Sequence, residues 1–360
     1  IFEAAGVPCG VIGTLSGART TPDAPELQAL LAGHLAAGRR AVAMEVSSHG
    51  LELHRVDATR FAAGVFTNLS QDHLDFHGTM GDYFAAKARL FAPGRAERAV
   101  VCADDAWGRR LLADLTGRDD LEVHRYTLDD AADVRLGPAG AAFRWRGQDM
   151  TTRLTGRFNV RNAIGAATTA AVLGLDAAAV ARGLAATEPV PGRFEVVDAG
   201  QPFTVLVDYS HKPDALDQAL RSARELVAPG GGLAVVLGCG GDRDAAKRPL
   251  MGETAARLAD RVVVTSDNPR SEDPAAIIDQ ILQGIAAAGH VTVEPDRAAA
   301  IDLAVAGAAP GDVVVIAGKG HETTQILADR EIPFDDRVEA RRALERHVTP
   351  TTASSTKGQT

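Results

Sequence analysis

The sequence is short of several things, and each shortage removes a class of explanation. Only three of its 360 residues are cysteine, Cys9, Cys102 and Cys239, widely spaced and odd in number. That argues against a disulfide framework and for a reducing compartment, the cytoplasm. Aromatics make up 4% of the chain, and no apolar run approaches the length of a membrane span. The first residues lack the charged and apolar regions of a signal peptide. Basic residues are the minority, 38 against 47 acidic ones, for a formal net charge of -9. That balance argues against nucleic acid or an anionic membrane as the main partner, while leaving room for a local phosphate pocket. Two nucleotide motifs are also missing. No G-x-x-x-x-G-K-[ST] occurs, although AGKGHE (317–322) imitates its end, and GCGGDRD (238–244) lacks the G-x-G-x-x-G spacing.

What is present is a long alternation of apolar runs and helical patterns, enough for two or three domains. VIGTL (11–15) reads as a strand before a Gly-containing loop, and TTPDAPEL (20–27) opens a helix capped by Thr20 or Thr21. AVAMEV (41–46), the run 61–69 and RAVVCA (98–103) read as further strands, and 80–90 as a helix. Residues 121–155 look like a meander around WRGQ, and 159–173 like a small-residue helix. PVPGRF (189–194) breaks the pattern before four more strands, 204–207, 233–237, 262–265 and 313–316. The fold class expected is α/β: a central ATPase-type parallel-sheet domain over 1–192, then a Rossmann-like C-terminal domain over 193–348, with 349–360 a disordered tail.

The turns after those strands carry the chemistry. VVVTSDNPRSEDP (262–274) runs strand, polar turn, helix, which puts the turn at the carboxyl edge of a parallel sheet, where open α/β sheets bind ligands. Asp267 and Arg270 there suit a zwitterionic amino acid with an extra carboxylate; a capped, solvated turn is the plainer reading. The turns DYSHKP, with Asp208 and His211, and GCGGDRD, followed by Lys247 and Arg248, lie at the same kind of edge. Glu45 follows an apolar strand, as a Mg²⁺-holding acid does in ATP-using domains, or faces solvent. DHLDFH (72–77) sets two histidines four apart, but with no cysteine or third histidine nearby it suits Mg²⁺ or phosphate better than zinc. Lys87 lies on an apolar-faced helix, where a snorkelling surface lysine is the ordinary reading.

Taken together, MEVSSHGLELHRV, FTNLSQDHLDFHGTM, YFAAKARLF, GRFNVRNA, PGRFEVV, VDYSHKPDAL, GCGGDRDAAKRPLMG, SDNPRSEDP and AGKGHET resemble the Mur ligases of peptidoglycan synthesis, in that family's order. The match spans residues from about 10 to 340. The resemblance implies ATP-dependent amide formation: an acceptor carboxylate on a UDP-sugar peptide becomes an acyl phosphate, which an amino acid's amine attacks. It implies that Thr20, Thr21, Ser47 and Arg55 contact UDP-MurNAc-L-Ala-D-Glu. It implies that Glu45 and His73 serve Mg²⁺ together with Lys87, which matches the family's carbamylated lysine. Asn162, Arg193, Asp208 and His211 would surround ATP. Arg248, Asp267, Asn268, Pro269, Arg270, Gly318 and Glu322 would hold meso-diaminopimelate. Diaminopimelate-adding members carry DNPR, and lysine-adding relatives lack that arginine, in keeping with Arg270 pairing with a distal carboxylate that lysine does not have. A cytoplasmic monomer is expected, closing a two-domain cleft around its substrates.

The sequence also departs from the family pattern. The UDP-binding domain and GTNGKT-type phosphate loop of relatives are expected upstream of Ile1, so this chain alone is expected to have little ligase activity. Leu53 stands where some members place a glutamine. A lysine-adding sibling and a non-catalytic binding module remain the other readings.

Overall fold

The protein is described by a computed structural model over residues 1–17, 19–286 and 289–347; the tail expected at 349–360 lies outside the described residues. The chain divides into two compact units. The first comprises Ile1–Arg135, Ala141–Arg153 and Asn159–Thr187; the second comprises Leu136–Gly140, Leu154–Phe158 and Glu188 onward. Among the described residues no helix is long and apolar enough to cross a membrane.

The first unit opens on β1 (Cys9–Ile12), α1 (Ala24–Ala36) and β2 (Ala41–Met44), with β1 and β2 parallel and Ile12 opposite Met44. β1 starts and ends earlier than VIGTL suggests; it ends where the chain turns at Gly13 to bring Thr14 onto Glu45. The α1 N-cap is Asp23, not a threonine, and Pro25 takes an opening position of the helix. There follow α2 (Ser48–Glu52), β3 (Gly64–Phe66), α3 (Leu74–His77), α4 (Met80–Ala88), β4 (Arg98–Cys102), α5 (Ala106–Leu115) and β5 (Glu122–Tyr126). β3, β4 and β5 form a parallel sheet. The apolar run 61–69 yields only the three residues of β3. β6 (Ala131–Gly137), β7 (Gly140–Trp145) and β8 (Gln148–Thr152) form the meander, turning at Arg146 and Gly147, both at positive φ, as a two-residue hairpin turn requires. α6 (Arg157–Val172) and α7 (Ala177–Ala185) follow.

The second unit runs β9 (Glu195–Val196), β10 (Thr204–Asp208), α8 (Pro213–Arg224), β11 (Leu233–Leu237), α9 (Lys247–Leu258), β12 (Arg261–Val264), α10 (Pro274–Leu282), β13 (Val291–Val293), α11 (Arg297–Ala306), β14 (Val313–Ala317), β15 (Thr324–Ile326), β16 (Glu331–Pro333) and α12 (Asp336–His347). Its main sheet has the order β13-β12-β11-β14-β10-β9, all parallel but β9. β10, β11 and β14 are buried along their whole length, which their unbroken apolar sequence requires of strands covered on both faces. Residues of α8, α9 and α10 fill one core, and residues of α11 and α12 fill the other. The register sets Asp208 opposite Ala317, Ala317 opposite Leu237, and Leu237 opposite Val264. Four strands therefore end level, and their turns share one edge. β14 lies between β10 and β11, the place where a doubly wound sheet opens a crevice.

Beneath that edge lies an ion pair cut off from water. Arg297 donates to both carboxylate oxygens of Asp336, at 2.7 and 2.8 Å, with both side chains 0% exposed. It also donates to the carbonyls of Ser266, just past β12, and Ala317, the end of β14. Removing one partner of such a pair strands a charge in the interior. Asp336→Ala is therefore expected to cost about 3–5 kcal/mol of unfolding free energy in urea melts, and a loss below 1 kcal/mol would contradict this account.

Candidate functional site

In the first unit, Thr21 is the centre of the loop between β1 and α1. It is buried; its hydroxyl donates to the Glu45 carbonyl at 3.1 Å and accepts the Ser47 amide at 2.9 Å. Arg55 donates to the Thr21 carbonyl at 3.0 Å and pairs with Asp23 at 2.9 Å. Ser47 caps α2 through the Gly50 amide. Thr20 and Glu45 meet through Thr14, whose hydroxyl bonds Thr20 at 2.9 Å and the Glu45 carboxylate at 2.7 Å. Thr20, Thr21, Ser47, Arg55 and Glu45 thus form one hydrogen-bonded set. The Thr21 hydroxyl is spent on holding the loop, while the Glu45 carboxylate is exposed.

Next to this set stands an aromatic wall. His77 stacks on Tyr83 at 4.9 Å and its Nε2 lies 2.9 Å from Ser48 Oγ. His49 meets His73 edge-on at 4.8 Å, and His73 lies 3.1 Å from Asp72. Lys87 follows Tyr83 by one helical turn on α4, and its Nζ sits 5.4 Å from the Tyr83 ring centre. Burial lowers the Lys87 pKa from its ordinary value of 10.5, and Asp72 opposes that shift. Burial, with help from Asp72, pushes the Tyr83 hydroxyl up to about 12. Among the described residues no three His, Cys, Asp or Glu side chains gather to hold a metal ion. Asn162 is exposed on α6 and bonds Asn159 at 3.4 Å.

In the second unit the level strand ends bring their turns into contact. Asp208 accepts the Phe194 amide at 2.8 Å and the Ser210 amide and hydroxyl. Burial raises its pKa against the pull of these donors. Arg193 lies over the Tyr209 ring at 4.6 Å, and the His211 and His321 rings flank the same tyrosine at 4.5 and 4.9 Å. Gly192 and Gly320 sit at positive φ with their backbones packed together, so a Cβ on Gly320 would lie 2.6 Å from the Gly192 carbonyl.

The turn after β12 is held by a lysine. Lys319 is fully buried and donates to Asn268 Oδ1 at 3.0 Å, Glu322 at 3.1 Å and the Thr324 carbonyl at 2.6 Å. Asn268 donates in turn to Glu322 at 2.8 Å. The Asp267 carboxylate lies against Gly318, whose added Cβ would come within 2.6 Å of it. Arg270, at φ 52, has Nη1 on the Gly241 carbonyl at 2.8 Å; Pro269 is buried beside Gly241. Asp267, Asn268, Pro269, Arg270, Gly318 and Glu322 therefore share one corner.

Arg248, expected to hold diaminopimelate, has a side chain that is 1% exposed and forks onto Glu272 at 2.8 and 2.9 Å, with further bonds to Gln280 and the Gly240 carbonyl. That pairing, with the Asp242 amide, holds Glu272 down to about 2. Arg248 supports the turns from below.

Comparison with known proteins reads the same way. Residues 1–170 match the model of the Mur ligase middle domain, and residues 192–320 that of the Mur ligase glutamate ligase domain. The chain belongs to the Mur ligase family. It is 47% identical to the UDP-N-acetylmuramoyl-L-alanyl-D-glutamate–2,6-diaminopimelate ligase of Streptomyces coelicolor, over 94% of this chain and 71% of that protein. The like-named ligase of Synechococcus elongatus is 50% identical over 90% of this chain and 67% of its own length. A solved structure of a ligase of that name superposes with a TM-score of 0.68 at 37% identity, over 96% of this chain and 75% of that one.

Within this Mur ligase several residues at the site escape a motif reading. Lys319 looks like a failed phosphate-loop lysine; its isolation between two glycines at a strand end was the available signal. Tyr83 is signalled by its four-residue offset from Lys87. Glu272 and Thr14 carry no signal, because their partners are distant in sequence.

Lys87 yields a signed pH prediction. Between its lowered folded value and 10.5, the amine is neutral in the folded protein and charged in the unfolded chain. Acylation of Lys87, followed by peptide mass mapping, is expected to set in at lower pH for native protein than for urea-unfolded protein. The reverse order would refute the burial effect.

Proposed function

We propose that this chain carries out the reaction in its relatives' name: ATP-dependent attachment of meso-2,6-diaminopimelate to UDP-MurNAc-L-Ala-D-Glu in peptidoglycan synthesis, in the cytoplasm. The observation that carries the reading is the corner of Asp267, Asn268, Arg270 and Glu322. Two carboxylates there suit ammonium groups. The Nε–Nη2 edge of Arg270, which bonds nothing among the described residues, suits a carboxylate fork.

In the first unit, Thr20 and Arg55 would face the sugar peptide, with Thr21 and Ser47 shaping the loop beneath them. ATP's γ-phosphoryl group passes to the acceptor carboxylate, giving ADP and an acyl phosphate. The amine then attacks the acyl carbon, an amide forms, and phosphate leaves. The chain's own part is to orient the reactants and to keep the amine unprotonated. Arg193 and His211, beside Tyr209, and Asn162 are candidates for the nucleotide, while Asp208 holds the PGRF turn in place.

Glu45, with its exposed carboxylate, and His73 would hold Mg²⁺ together with a carbamate on Lys87, which would supply hard anionic oxygens. Bound Mg²⁺ would neutralise phosphate charge. The lowered Lys87 pKa favours the carbamate, because the neutral amine is the form that takes up carbon dioxide.

Arg270→Ala is expected to reduce the preference for diaminopimelate over lysine by about 2–5 kcal/mol. The ratio of kcat/KM values in a competition assay with ADP release as readout measures this. An unchanged ratio would remove Arg270 from substrate selection.

A further inference from the structure

Arg270 owes its position to its neighbours, and the neighbour that decides it is a residue with no side chain. An alanine Cβ built on Gly240 would lie 2.9 Å from Arg270 Nη1, which is too close to keep. Gly240 is not at positive φ, so its backbone conformation is open to other residues. What calls for glycine there is the guanidinium. Adjacent Gly241 supplies the carbonyl that Nη1 bonds at 2.8 Å, and its own amide donates to the Asn268 carbonyl at 2.9 Å.

The two turns are stitched together around that seat. Arg248 donates to the Gly240 carbonyl at 3.0 Å while forked onto Glu272. Glu272 accepts the Asp242 amide at 2.6 Å, and Asp242 accepts the Ser271 hydroxyl at 2.6 Å. Turns nearly thirty residues apart thus fix one carbonyl and leave one gap, and the guanidinium lies between them.

We infer that Gly240 is a specificity-determining residue: the space left by its missing side chain seats Arg270 Nη1, and thereby aims the Nε–Nη2 edge at the distal carboxylate of the amino-acid substrate. Gly240 touches no reacting atom; it acts through Arg270. The inference rests on the proposed role of Arg270 and adds a cause for its aim. Because the atom met by a new Cβ is the far end of a flexible side chain, substitution displaces the guanidinium rather than the fold.

The test is calorimetric titration of the protein with meso-diaminopimelate, with L-lysine and with ATP, using Gly240→Ala, Arg270→Lys and the double variant. Gly240→Ala is expected to weaken diaminopimelate binding about 10-fold or more, a loss on the scale of a charge-assisted pairing. Lysine and ATP binding and the melting temperature should stay near wild type. In the Arg270→Lys background the alanine should add no further loss, because the atom it displaces is gone. Unchanged diaminopimelate affinity in Gly240→Ala, with a loss in Arg270→Lys, would overturn the role of Gly240 and leave Arg270's standing. Equal weakening of lysine and diaminopimelate by Gly240→Ala would also overturn it, as general damage. Wild-type diaminopimelate affinity in both single variants would sink the role of Arg270 itself.

Discussion

A single ammonium group without water sets the working edge of the second unit. Lys319 is fully buried, so its charge is tolerable only while all of its acceptors stay in place. Those acceptors are Asn268, Glu322 and the Thr324 carbonyl, drawn from two turns. Any drift of either turn would leave a buried cation short of partners, at a cost of several kcal/mol. The consequence is a corner in which two side chains suited to a ligand, Asn268 and Glu322, keep one arrangement before any ligand arrives. Preorganisation of this kind lowers the ordering cost of binding.

The same edge shows how a structure separates arginines that look alike in sequence. Arg297 and Arg248 are enclosed, and both fork onto carboxylates. Arg270 spends one nitrogen on a carbonyl and keeps an edge unspent. The first two hold the scaffold through those forks, and the third keeps its Nε–Nη2 edge for the proposed substrate. In the first unit Thr21 and Thr20 divide in a similar way. Thr21 is enclosed with its hydroxyl fully committed, while Thr20 meets Glu45 only through Thr14. A buried donor already bonded gains little from a ligand; a half-exposed donor with a spare direction gains more.

This division explains what could be read from the sequence. The strands ending at Asp208, Leu237, Val264 and Ala317 were legible because fully covered parallel strands are continuous apolar runs bounded by turns. β13 was not, since three residues, none of them buried, carry too little pattern. The α1 cap was misplaced because Thr20, Thr21 and Asp23 all have capping chemistry, and Thr21 was claimed by Glu45 and Ser47 across the sheet. The residue types at the candidate site were visible as turn motifs. Which donors were already spent was not, because the pairs that spend them, such as Arg248 with Glu272, lie far apart in the chain and meet only when the strands align.

Backbone strain points to the same residues. Among the described residues seven other than glycine have positive φ, and His73, Phe194, Asp242 and Arg270 among them stand in or beside the candidate sites. Each such residue costs about 1–3 kcal/mol and persists only where its surroundings over-determine it. At Arg270 the surroundings are the Ile326 carbonyl on its amide and the Gly241 carbonyl on its side chain. Glycine at 270 would relieve the backbone and make the first of these bonds equally well. Arginine there is the costlier choice for the fold, and among the described residues its side chain makes a single hydrogen bond, to a carbonyl. In the proposed reading, the substrate's distal carboxylate at the unspent Nε–Nη2 edge would supply the offsetting gain.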